Sequence, residues 1–211
     1  GNIAFRSGDV LVVRGRAHNS AAIARIGDCD TQFSHTGMIY IDQSGQHWMV
    51  EALIEDGAVI NPLERSLSHN IGRAVLYRHR DADLAALAAE KIHARVSASL
   101  RGRWARRIPY DFTMRLKGKR RMFCSKLVHV AFKDASGGAV LLPPYATRLD
   151  MKNRGFFDGI GVKAKETFAP GDIDIDPSFQ LVAEWQDYRV TSDLRMQDMI
   201  MTQVFAWMES R

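Results

Sequence analysis

Hydrophobic and polar positions fall into six short runs of strand type and three longer runs of helical spacing. Residues 8–14, 33–41, 47–53, 57–60, 74–77 and 179–183 are rich in β-branched, aromatic and other apolar side chains, and turn-forming residues bound them. The run at 33–41 ends on Asp42-Gln43-Ser44-Gly45 and the next opens at His47, which predicts a hairpin. Helical spacing is clearest at 84, 88, 92 and 96, behind a cap at Asp81 or Asp83. It recurs at 124, 127, 128, 131 and 132, and at 196, 199, 200, 204 and 207, where Thr191 or Ser192 can cap. Ser136-Gly137-Gly138 stops the second helix. Residues 139–168 carry no clear period, with 148–157 a short strand or loop. Pro170-Gly171-Asp172 then turns the chain into the last strand. The sum is an α+β domain: an antiparallel sheet, open or closed as a small barrel, with helices packed on it.

Length and composition add bounds. The chain has 211 residues of which 46% are hydrophobic, enough for one full core, and no repeat or low-complexity break divides it. No apolar run is long enough to span a bilayer. Two cysteines, Cys29 and Cys124, in unlike settings do not make a disulfide framework. The sequence opens on Gly1 rather than Met, which leaves room for a leader cut away before it, and a periplasmic or envelope location is expected over the cytoplasm.

Chemistry enters at Cys124. The segment before it is basic and poorly patterned, so the thiol falls in the first turn of its helix and on the buried side. Unpaired N–H groups and the helix dipole favour a thiolate there. A nucleophile facing a sheet needs a base on that sheet, and His35, in Ser34-His35-Thr36-Gly37, is the best candidate. Glu51 is a carboxylate within the apolar run 47–53, where burial without a partner would be costly. A hydrogen bond to His35 across the hairpin would resolve that cost and fix the imidazole tautomer. Cys29, flanked by Asp28 and Asp30, has its thiolate disfavoured. The other histidines (18, 47, 69, 79, 93 and 129) are expected on loops and solvated faces.

The order His, Glu, Cys carries a resemblance. Papain-like and NlpC-like cysteine peptidases place the cysteine helix before the histidine strand, whereas here the histidine strand comes first. Gly8-Asp9-Val10-Leu11, Ser34-His35-Thr36-Gly37, Val50-Glu51-Ala52, Pro109-Tyr110-Asp111, Phe123-Cys124-Ser125-Lys126 and Pro170-Gly171-Asp172-Ile173 occur in the order found in the circularly permuted branch. Within that branch the chain resembles the bacterial YiiX/YaeF-like group. It lacks the Asn-Cys-Glu-His element of the related lecithin:retinol acyltransferase-like proteins. The resemblance implies a permuted papain-like (NlpC-like) fold over residues 1–183, with 184–211 a helical extension packed on the same domain. It implies Cys124 as nucleophile, His35 as base and Glu51 as orienting acid, with Tyr110, Ser34, Thr36 and Ser125 around the substrate. It also implies a thiol hydrolase of amide bonds, in cell-wall peptides or small acyl or aminoacyl amides, acting through an acyl-enzyme.

Rival readings remain at this level. Lipid acyl transfer or phospholipase-like chemistry uses the same machinery, and a binding module could keep the cleft without turnover. A metal site at Cys29, His35 and His47 has no Cys-x-x-Cys or His-Glu-x-x-His support, so no metal and no cofactor are expected. The formal charge is +5, with nine basic residues crowded between Arg101 and Arg121. That crowding is either a solvated face or a collar drawing an anionic substrate towards Cys124. Nucleic acid is not expected, because few aromatic residues are interleaved to stack on bases. The C-terminal helix either covers the domain or joins two copies into a homodimer.

Overall fold

The computed structural model describes residues 3–27, 32–68, 71–101, 107–149 and 154–210. Its centre is one antiparallel sheet of six strands: β1 (Val10–Gly15), β2 (His35–Ile41), β3 (His47–Leu53), β4 (Gly57–Pro62), β5 (Ile71–His79) and β8 (Phe179–Gln186). They lie in the order β4-β3-β2-β1-β5-β8. The sheet is open: β4 and β8 form its two edges and do not pair, so the barrel alternative is set aside. β6 (Tyr145–Ala146) and β7 (Glu166–Thr167) make a separate two-stranded ladder.

Period-two alternation sorts the strand residues onto two faces. Val10, Val12, Met38, Val50 and Ala52 join the larger core beneath α3 (Ala82–Arg101) and α4 (Cys124–Ala135). Leu11, Val13, Ile39 and Met49 point the other way, into a smaller core that includes Leu63 of α2 (Leu63–Ser68). Asp81 accepts a hydrogen bond from the Leu84 N–H at 2.9 Å and so opens α3.

Several elements depart from the sequence reading. α1 (His18–Ala24) and α2 lack a long apolar stripe and are too short for periodicity to reveal. Within the span 148–157, residues 150–153 lie outside the described ones, and its end enters a short helix, α5 (Gly155–Gly159), rather than a strand.

Residues 124–132 of α4 are all buried, Lys126 and His129 included, so its apolar stripe marks only part of its contact surface. His129 Nδ1–H donates to the Leu142 carbonyl at 2.9 Å, and burial lowers its pKa. His79 is buried against Phe132 and Phe179, and His93 stacks on Tyr40 at 4.0 Å. These three are packing histidines rather than solvated ones; Cys29 and His69 lie outside the described residues.

α6 (Thr191–Glu209) docks with a face other than the expected one. Leu194 and Phe205 are buried, while Met196, Met199, Ile200, Val204 and Trp207 face outward. The helix carries two apolar faces, and its spacing alone does not say which one the domain takes. Asp198 fixes the choice, because it meets the buried Arg14 at 2.6 Å and Arg25 at 3.1 Å. No described helix is long and apolar enough to cross a membrane.

Candidate active site

The first residue of β2, the far ends of β1 and β3 and the start of β4 all lie at one end of the sheet, and the N-terminus of α4 meets them there. A cleft of about 590 Å³ opens at that end, and Cys124, His35, Glu51 and Tyr110 line it. Phe123 precedes α4 in an extended conformation and supplies no side-chain cap, so Cys124 occupies the first helical position with free N–H groups around it. The thiol is buried, only 5% exposed.

His35 joins the two other groups. Its Nε2 lies 2.7 Å from Glu51 Oε2, and its ring is hydrogen-bonded to the Cys124 thiol, which leaves Nδ1 for the sulfur. Burial alone would lower the His35 pKa; the hydrogen bonds and charges of Cys124 and Glu51 outweigh it and raise the value to about 10. For Cys124, burial pushes the thiol up. The bond and charge of His35 oppose that, with the backbone N–H groups of Thr36 and Ser125, and the net shift is downward. Both shifts favour the thiolate–imidazolium form of the pair over the neutral one.

Glu51 is held on both oxygens. Oε1 accepts from Asn61 Nδ2 at 3.0 Å and from Ser66 Oγ at 2.7 Å, while Oε2 faces the imidazole. Burial raises its pKa, and these bonds with the His35 charge more than reverse the shift. Asn61 and Ser66 were not singled out in the sequence; the only signal for them was a buried carboxylate needing more than one partner.

Tyr110 sits on a loop that bridges to Met122, two residues before the nucleophile. Met122 N–H donates to the Pro109 carbonyl and Asp111 N–H to the Met122 carbonyl, both at 3.0 Å. Burial first, then the negative charges of Cys124, Asp111 and Glu55, push its pKa well above the ordinary tyrosine value. Its hydroxyl stays protonated and can donate. Beside it, Lys126 is fully buried and meets Asp111 at 2.6 Å, tying α4 to this loop.

The remaining expected residues are placed unevenly. Ser34 borders the cleft, but its hydroxyl accepts from the Gly15 N–H at 3.0 Å. The Thr36 hydroxyl donates to the Leu11 carbonyl at 3.0 Å and that of Ser125 to the Phe168 carbonyl. Neither lines the cleft, and both residues reach the sulfur through the backbone alone. None of Arg101, Arg107, Arg115, Lys117, Lys119, Arg120 and Arg121 lines the cleft. Their segment runs along α4, where Lys119 pairs with Asp134. Arg103 and Arg106 lie outside the described residues. Among the described residues, no group of three or more His, Cys, Asp and Glu side chains stands together to hold a metal.

Comparison with known proteins gives a family and a fold. Residues 4–183 match a family described as permuted papain-like amidase enzymes, YaeF/YiiX, C92 family. A solved structure titled as the metalloprotein yiiX from Escherichia coli O157:H7 superposes with a TM-score of 0.66 at 20% identity. The match covers 86% of this chain and 98% of that one, and at this identity it speaks for the fold alone. No match is found among curated proteins.

Proposed function

The chain belongs to the permuted papain-like amidase family of cysteine hydrolases, and on that premise we propose that Cys124, His35 and Glu51 are its catalytic triad and that it cleaves polar amides. One observation carries this reading: the imidazole is hydrogen-bonded at once to the thiol and to a carboxylate that is itself fully partnered.

The steps follow from the resting ion pair. The Cys124 thiolate adds to the amide carbonyl carbon, and the carbonyl π electrons move to oxygen. Backbone N–H groups at the start of α4 and the Tyr110 hydroxyl stabilise that oxyanion. The His35 imidazolium gives its proton to the amide nitrogen, the C–N bond breaks and the amine leaves. Neutral His35 then takes a proton from water, whose oxygen attacks the thioester. The acid departs and the thiolate returns. Glu51 holds the ring in place and stabilises its charge throughout.

The cleft's lining favours an amide over a lipid ester. Arg16, Glu55, Asp56, Asn61 and Arg65 all border it, which suits a peptide or small charged amide better than an acyl chain. The outward face of α6 would serve a second copy of the chain rather than the substrate, since none of its residues borders the cleft.

The test is intact-mass detection of an acyl adduct on Cys124 after incubation with separate pools of cell-wall peptides, acyl amides and phospholipids. An adduct from the amide or peptide pool, absent in Cys124→Ser, is expected. An adduct formed only from phospholipid would replace the amide reading with lipid acyl transfer.

A further inference from the structure

The cleft is electrically uneven across the sheet end. Glu55 and Asp56 sit in the turn between β3 and β4, and Arg65 lies on α2, which packs against those strands. His35 starts β2, and β1 follows on its other side. The wall there is built by residues 13–23, and Arg16 is its sole charged lining residue, with Asn19 and Ser20 beside it. Neighbouring strands are about 4.8 Å apart, so roughly 10 Å separates the two sides, with the imidazole between them. An extended amide lying across the thiol would span that distance.

The wall bearing Arg16 is held by α6, which lies beyond the family-matched residues 4–183. Gln197 Nε2 donates to the Arg16 carbonyl at 2.9 Å. Two residues earlier, the buried Arg14 bonds the Gly15 carbonyl at 2.8 Å and Asp198 at 2.6 Å. Arg25, just past α1, meets the same carboxylate. Both ends of the wall are thus anchored on one helix, while the Arg16 guanidinium makes no direct ion pair among the described residues; beyond the Arg189 hydrogen bonds, its charge helps to lower the pKa of Asp187. Asp193, from the start of α6, shares a smaller neighbouring pocket with it.

We propose that Arg16 is a specificity residue for a substrate carboxylate, so that this cysteine hydrolase takes amides bearing a carboxylate on the side lying over the end of β1, and that Gln197 of α6 is its positioning residue. The proposal rests on Cys124 being the reactive thiol. A guanidinium is suited to the role because its planar fork grips a carboxylate in two hydrogen bonds.

The experiment uses alkylation of the full chain, which needs no knowledge of the natural substrate. The probes are 4-(iodoacetamido)butanoic acid and its methyl ester. With each, the thiolate displaces iodide and a C–S bond replaces C–I. Rates are divided by that of plain iodoacetamide on the same variant, at low and at high salt. The wild type is expected to favour the acid over the ester by about fivefold at low salt, the scale of an exposed charge pair, and less at high salt. Arg16→Gln should bring the ratio to about one, Arg16→Lys should keep part of it, and Gln197→Ala should fall between wild type and Arg16→Gln. An acid-to-ester ratio unchanged in Arg16→Gln overturns the specificity role; a full ratio in Gln197→Ala overturns the positioning role. Failure of plain iodoacetamide to label Cys124 would instead remove the thiol reading, and the proposal with it.

Discussion

His35 and Glu51 meet at 2.7 Å although they are not partners in the β2–β3 register, where Glu51 lies opposite Gly37. The contact is diagonal, between side chains two positions apart on the same face of adjacent strands. Gly37 makes it feasible: a Cβ there would crowd Glu51 Cβ and the Val50 carbonyl. The bare position lets the carboxylate reach past it to the imidazole at the strand's start.

Glu51→Gln tests the contact. The amide keeps the shape but removes the charge that helps hold His35 protonated, so kcat should fall about a hundredfold or more. The variant's Cys124 should also need a higher pH for alkylation, because its imidazolium partner is weakened. Steady-state kinetics and a pH–rate curve on one preparation check both.

The ion pair also shapes stability against pH. Near neutrality, from about 6.5 to about 8.5, the unfolded chain holds one proton on Cys124 and none on His35, while the proposed ion pair of the folded chain holds one on His35 and none on Cys124. The totals match, so this pair gives a plateau. Above about 8.5 the unfolded pair is bare, and stability falls as pH rises through the raised His35 value of about 10. Below about 6.5 stability falls with pH, as the unfolded pair takes up a second proton. Urea midpoints of the wild type minus those of a Cys124→Ala/His35→Gln double variant should trace this flat-topped curve.

Lys126 and Asp111 form a buried pair that couples the nucleophile's helix to the Tyr110 loop. Lys126→Met leaves the Asp111 carboxylate buried without its cation and should cost about 3–5 kcal/mol. Adding Asp111→Leu should recover much of that loss. A double-mutant cycle in urea measures the difference.

Gly57 opens β4 with φ +74°, and a Cβ there would run into the Ile108 carbonyl, which accepts the Ala58 N–H at 2.9 Å. Gly57→Ala should cost about 1–3 kcal/mol and push the 108–110 segment away from the cleft. Activity should then drop more than the lost stability explains, seen as reduced kcat at a temperature where the variant is still folded.

Much of this arrangement is legible in the sequence, and the limits are physical. Strand and helix periods mark the hairpin and the first turn of α4, and a buried carboxylate beside a histidine strand suggests the pairing. The periods do not mark α1 and α2, which have too few turns to repeat. They also cannot rank the two apolar faces of α6, because the deciding partner, Asp198, meets Arg14 from 184 residues away. Helical spacing gives no sign that Lys126 is buried, because its partner Asp111 comes from another loop. Ser125 and Thr36 look like site hydroxyls by adjacency, yet strand and helix geometry turns both side chains onto scaffold carbonyls.

The central claim is that an imidazolium holds Cys124 as a thiolate, and the pH dependence of Cys124 alkylation by iodoacetamide in wild type and His35→Ala tests it most directly. The wild-type rate should already be on its plateau well below the ordinary thiol pKa of about 8.5, while His35→Ala should titrate at or above that value, because burial then acts unopposed by the histidine. Superimposable curves, both rising near or above 8.5, would contradict the account.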